Sequence, residues 1–218
     1  MVAKRLFTFF APMKISLPFF LVLTCGLSGF GQGTITFNNN IPGQVVAPIY
    51  GTEPSNWDLS KVGNTSAGYP PGTQVYGGEL LAGDSWNAQL LGAPGIQPES
   101  ALVPISPITT FQTGTGAGFI VPVTFVPSAF PEGTLTATFQ MVVWDKGPGV
   151  PDWQTAQFAW RFLPAGKSPL FVAPVGGNTT FLQSFNVYIL YVPEPSSLGL
   201  LSLAALAYGS WQARRGKR

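Results

Sequence analysis

Proline and glycine punctuate this chain so densely that long helices have little room to form. Its 218 residues include 26 glycines and 21 prolines. Glycine weakens a helix interior and proline breaks it. Between the breaks lie short segments rich in Thr, Val and Phe that alternate apolar and polar side chains, the two-residue period of a strand. Such a chain is expected to be all-β with long loops. Five tryptophans between Gln32 and Tyr191 argue for a packed core against disorder, because each large apolar side chain enclosed in a core contributes about 1.5–3 kcal/mol.

The clearest strand signal runs from Thr134 to Trp144. Leu135, Ala137, Phe139, Met141 and Val143 alternate with Thr134, Thr136, Thr138, Gln140 and Val142, so this segment is expected at the centre of a sheet. Further strands are expected at Gly33–Asn38, at Val45–Tyr50 with Pro48 marking an edge, at Phe119–Val126, at Leu170–Ala173 and at Ser184–Tyr191. Gln74–Leu81 and Ser85–Leu91 read as a hairpin about Ala82-Gly83-Asp84. Trp153–Arg161 fits either a helical turn or a strand. Eight or nine short strands without a long helix imply a single β-sandwich domain over residues 32–191, jelly-roll-like in type.

Both ends differ from this middle. Lys4, Arg5 and Lys14 precede an apolar stretch, Ile15–Leu27, and then small residues up to Gly31. This is the layout of a signal peptide over residues 1–31, cut by signal peptidase after Gly31, with Met13 an alternative start to Met1. Thr24 stands before Cys25 where a lipidation signal requires a small residue. Removing residues 1–31 takes away the sole cysteine, so the mature fold is expected to stand without a disulfide.

At the other end, Leu198–Trp211 carries no charge, and Arg214, Arg215, Lys217 and Arg218 follow it. Residues 196–213 would make roughly 27 Å of helix, at the lower limit for a hydrocarbon core of about 30 Å. Basic flanks stay in the cytoplasm, so a transient inner-membrane anchor is expected, with residues before Pro193 outside. Residues 32–191 hold four bases (Lys61, Lys146, Arg161, Lys167) and eight acids, a net charge of −4. The basic character of the whole chain therefore resides in its ends, and nucleic-acid binding, which needs clustered cations, is not expected.

Val192-Pro193-Glu194-Pro195, the weak apolar span and the basic cluster opening with Arg214 and Arg215 together resemble the PEP-CTERM sorting signal of bacterial exported proteins. The resemblance covers residues 192–218. It implies recognition and removal of the tail by an exosortase-type membrane protease, then delivery to the cell surface or to extracellular polysaccharide matrix.

The chain contains no histidine, which excludes a histidine triad, histidine metal ligands and imidazole acid–base catalysis. No catalytic residue, metal site or cofactor is expected. The carboxylate pairs Asp145/Asp152 and Glu79/Asp84 flank loops and could serve a glycan-active enzyme only if two acids converged. Trp57, Trp144 and Trp153, near loops or on the outer sheet face, are the candidates for stacking on sugar rings. The expected role is a non-enzymatic structural or adhesive unit of the cell surface or matrix, with a carbohydrate-binding module acting on exopolysaccharide as the alternative.

Overall fold

A computed structural model describes residues 33–190. Within them the chain is all-β, with one short α-helix and two 3-10 turns. In order come β1 (Ile35–Phe37), β2 (Asn40–Ile41), β3 (Val45–Val46), β4 (Trp86–Pro94), β5 (Val103–Pro104), β6 (Val123–Phe125), β7 (Thr136–Asp145), α1 (Trp153–Ala159), β8 (Ala165–Lys167), β9 (Phe171–Pro174) and β10 (Gly177–Asn178).

β7 is the centre of the largest sheet, as its alternation predicts. Along one side it pairs antiparallel with the whole of β4, from Trp86↔Asp145 to Pro94↔Ala137. On its other side β9 takes the first half and β8 the second. β5 pairs with the outer edge of β4. A second sheet has the order β10-β1-β6, with β1 parallel to β10 and antiparallel to β6. β2 and β3 form a small hairpin around Pro42-Gly43-Gln44.

The inner face of the β4/β7 pair carries Ala88, Leu90, Ala137, Phe139, Met141 and Val143. They share one core with Ile35 and Phe37 of β1, Val45 of β3, and Ile49, Ile120, Phe185 and Val187 from the connecting segments. The core closes tightly on Gly92: a Cβ there would lie 2.7 Å from Ile105 Cδ1 and 3.1–3.2 Å from the Phe130 and Phe139 rings, so these side chains would have to shift. Asn39, fully buried, ties the core's rim together. Its Nδ2 donates to the carbonyls of Ala47 and Gly118, and its Oδ1 accepts from the Ile120 N–H.

The opposite face of β7 departs from the sequence expectation. Thr138, Gln140 and Val142 alternate as solvent-facing residues would, yet all three are buried. α1 and its flanks cover this face, forming a second core of Leu91, Val142, Trp144, Val150, Trp153, Ala156 and Trp160. The polar residues are satisfied locally: Gln140 Nε2 donates to the Ser168 carbonyl and the Thr138 hydroxyl to that of Gly95. α1 also settles the ambiguity of residues 153–161. Asp152 caps it, accepting from the Thr155 N–H at 2.8 Å, and Trp153, Ala156 and Trp160 fall on one helical face.

Three expected strands are corrected. Gln74–Leu81 does not fold back on β4. It runs beside residues 50–53, with Tyr76 stacked on Tyr50 at 4.1 Å and its hydroxyl donating to the carbonyls of Gly63 and Ser184. These distant contacts override the local hairpin signal, and β4 pairs with β7 instead. Ser184–Tyr191 is extended and buries Phe185 and Val187, but its described residues make only isolated bridges. Its backbone bonds run to several separate segments, at Tyr50, Lys61, Gly63 and Ala165, and side chains add to them: Asn64 Oδ1 accepts from the Ser184 N–H, and Asn186 Oδ1 from the Lys61 N–H. Of Phe119–Val126, only β6 is strand, with Val123 and Phe125 half-buried about an exposed Thr124; ahead of it the alternation breaks, since Ile120 is buried and Val121 faces solvent.

Candidate functional site

Where β4 begins and β7 ends, the Trp86↔Asp145 pair forms the floor of an open cleft of about 460 Å³. Thr52, Pro54 and Trp57 line it from one loop, and Glu79 from the segment beside that loop. The loop is fixed by an ion pair. Lys61 Nζ lies 2.9 Å from Glu53 Oε2, and the Gly77 N–H donates to Glu53 Oε1 at 3.0 Å. Burial pushes the Glu53 carboxyl up, but the Gly77 N–H and the Lys61 ammonium outweigh this and hold it below its ordinary value of 4.5. A folded-state pKa below the unfolded one means the pair stabilises the loop above the ordinary carboxylate range. That contribution is lost as pH falls through the folded-state value.

Gly78 lets the two walls of the cleft meet, since a Cβ there would collide with the Gly51 carbonyl. The Gly51 N–H donates to the Glu79 carbonyl at 2.7 Å and sets Glu79 at the rim. Trp57 stands 61% exposed. Asp145 is half-buried on the floor; burial pushes its carboxyl up, and it forms no ion pair among the described residues. The cleft thus offers one free aromatic face, one half-buried indole and two carboxylates, with no cation among its lining residues.

The sequence pairs its acids differently. Asp152, expected beside Asp145, caps α1, and Asp84 is not part of the cleft lining. Glu79 and Asp145, far apart in the chain, share the cleft instead. Among the described residues no group of three or more metal-ligating side chains occurs.

Two of the three candidate stacking residues are corrected. Trp144 is 1% and Trp153 6% exposed, because α1 covers the sheet face that the alternation assigns to solvent. Their rings lie 6.1 Å apart and continue through Trp160 to Tyr188, a row of aromatics at spacings of 5.0–6.1 Å. Trp144 Nε1 donates to the Val150 carbonyl and Trp160 Nε1 to that of Tyr188. These are core side chains. Trp86 takes their place beside Trp57. Nothing local in the sequence marks it, because its position depends on the pairing of β4 with the far end of β7.

A second hollow of about 610 Å³ lies between α1 and β5, lined by Glu99, Leu102, Gln140, Trp153, Gln154 and Gln157 among others. The Lys167–Glu99 ion pair, at 2.6 Å, closes its side.

Pro193, Glu194, Pro195, Arg214, Arg215, Lys217 and Arg218 lie outside the described residues, as does the expected signal peptide. Comparison with known proteins addresses the former segment. No curated protein and no solved structure matches the chain. One family model does match, over residues 192–215: that of the PEP-CTERM protein-sorting motif. The motif implies export, membrane transit and processing by exosortase, a membrane protease. The chain is therefore a bearer of the PEP-CTERM protein-sorting signal.

Proposed function

We propose that this chain is a surface or matrix protein of the cell exterior, delivered by its sorting tail, whose β domain works as a structural or adhesive unit without catalysis. The observation that carries this reading is the sorting motif at residues 192–215. The charge distribution agrees with it: the bases cluster at the two ends, and the middle is mildly acidic. The signal peptide at 1–31 and a membrane-spanning segment following Pro195 complete the proposed topology. Packing of β1 and the β4/β7 pair about one core supports a sandwich-like architecture. The test is the intact mass of the protein from its native host. The reading requires both ends to be missing from the mature form; a full-length, soluble cytosolic polypeptide overturns it.

One observation favours a second reading, in which the domain binds polysaccharide. The cleft presents Trp57 and Trp86 beside Glu79 and Asp145. An indole face packs against the CH groups of a sugar ring, while carboxylates accept its hydroxyls. On this reading Trp57→Ala weakens binding on a glycan array by about tenfold or more, the usual cost of truncating an aromatic anchor, and Trp57→Phe retains most of it. Silence of the unaltered protein across neutral and charged glycans would remove the second reading and leave the first intact.

A further inference from the structure

The last described residues leave the domain between two segments that carry tryptophans. The Ile189 N–H donates to the Trp57 carbonyl at 2.8 Å and the Leu190 N–H to the Trp160 carbonyl at 3.0 Å. Consecutive amides of an extended chain point to opposite sides, so the segment at residue 57 and the end of α1 flank the exit. Three aromatic side chains stand in solvent on these flanks: Trp57, Phe158 and Phe162, exposed by 61%, 78% and 73%. Phe158 and Phe162 bracket Trp160 in sequence, and the face of α1 that carries Trp153 and Ala156 is turned into the core. Arg161, also exposed, has its guanidinium 5.5 Å from the Phe162 ring centre.

Little slack separates this exit from the apolar tail. Leu190 and Leu198 are joined by a chain interrupted by Pro193 and Pro195, which spans at most about 27 Å when fully extended. A domain of this size has a radius of gyration of roughly 15 Å, so the tether is shorter than the domain is wide. With residues 198–211 inserted in a bilayer, the exit stays within about 27 Å of that bilayer, which disfavours orientations with the exit end turned away.

We infer that Trp57, Phe158 and Phe162, with Arg161 among them, form a collar that seats the domain on the outer surface of the lipid bilayer while the tail is uncut. The inference rests on the proposed topology, in which the tail spans the membrane. Indole and phenyl rings partition favourably to the headgroup level of a membrane. Arg161 can pair with lipid phosphates, whose geometry suits a guanidinium. Asp58, beside Trp57, and the cleft carboxylates Glu79 and Asp145 are repelled by anionic lipid, and Arg161 offsets part of that repulsion. Seating also holds Pro193-Glu194-Pro195 near the bilayer, within reach of a membrane protease, and cleavage ends the tether that keeps the collar there.

The experiment uses the full chain with Cys25→Ser, carrying a single fluorescent label on cysteine at position 158, 162 or 135. It is reconstituted into vesicles of phosphatidylethanolamine and phosphatidylglycerol with brominated acyl chains. Leu135 is the control: it is as exposed as the two phenylalanines but precedes β7, at the end of that strand remote from the cleft. Bromine should quench labels at 158 and 162, placing them about 5–10 Å into the headgroup boundary, and leave the label at 135 unquenched. A fourth variant, Trp211→Cys labelled there, reports insertion of the tail separately, because the chain holds five other tryptophans, Trp57 of the collar among them. The label at 211 quenched with the other three unquenched, or with those three quenched alike, overturns the collar and leaves the topology standing. Emission shifted to the blue at 158 and 162 without quenching would mean that a second copy of the chain covers the patch, and also overturns it. An unquenched label at 211 sinks the spanning tail and the collar together.

Discussion

Replacing Trp144 by alanine should destabilise the domain by about 3–5 kcal/mol, the range for truncating a buried tryptophan. The residue is 1% exposed and sits near the end of β7, where it touches both the sheet and the helix that covers it. Its ring abuts Trp153 of α1 at 6.1 Å, and its Nε1–H reaches the Val150 carbonyl in the loop leading to that helix. Truncation would open a cavity between sheet and helix and leave the Val150 carbonyl without its donor. Domains of this length lose roughly 2–4 °C of Tm per kcal/mol, so thermal unfolding should begin about 10 °C earlier. Trp57→Ala is the matched control, since exposed substitutions usually stay within about 0.5 kcal/mol. Equal melting of the two variants would contradict the placement of Trp144 in the core. The comparison also separates two roles for tryptophan here: one holds the fold, and the other is free to meet a ligand or a membrane.

How much of this was legible in the sequence depends on how local each determinant is. The strand at 134–144 was legible because its own side chains repeat the strand period, and β7 follows it closely. Its second face is not legible, because Thr138 and Gln140 look solvated yet are buried. Part of the cover is α1, too short for a helical period to stand out, which packs on Val142 and Trp144 of that face. The hairpin at 74–91 failed for the converse reason: a convincing turn at Gly83 was outweighed by Tyr76 stacking on Tyr50 and by hydrogen bonds to Gly63 and Ser184. The burial of Phe185 and Val187 was readable from alternation. That Asn64 would accept from the Ser184 N–H, and Asn186 from the Lys61 N–H, was not. The cleft is the extreme case. Trp86 and Asp145 meet because β4 lies antiparallel to β7, Trp57 and Glu79 reach them from segments outside that sheet, and no window of sequence contains those facts. The sorting signal is the opposite extreme, since its motif, apolar run and cations follow one another within residues 192–218.

Neutralising Arg214, Arg215, Lys217 and Arg218 together should abolish correct processing of the tail. On the proposed topology the apolar run before them would make only roughly 27 Å of helix against a hydrocarbon core of about 30 Å, so hydrophobicity alone would hold it weakly. Cations on the cytoplasmic side fix orientation and are attracted to anionic lipid by about 1 kcal/mol each. Losing four of them removes about 4 kcal/mol, close to a thousandfold in the equilibrium that retains the tail. Intact mass and cell fractionation read the outcome: the variant should keep its tail or leave the membrane uncut, and neutralising Lys146 in the domain should change neither. The family match ends at Arg215, so Lys217 and Arg218 lie beyond the matched motif and contribute charge. If charge is what the first two arginines supply as well, Arg214→Lys with Arg215→Lys preserves processing. Loss of processing in that double lysine variant would show that guanidinium groups are recognised directly. An unchanged mature mass and location in the fourfold neutral variant would remove the basic cluster from the sorting mechanism.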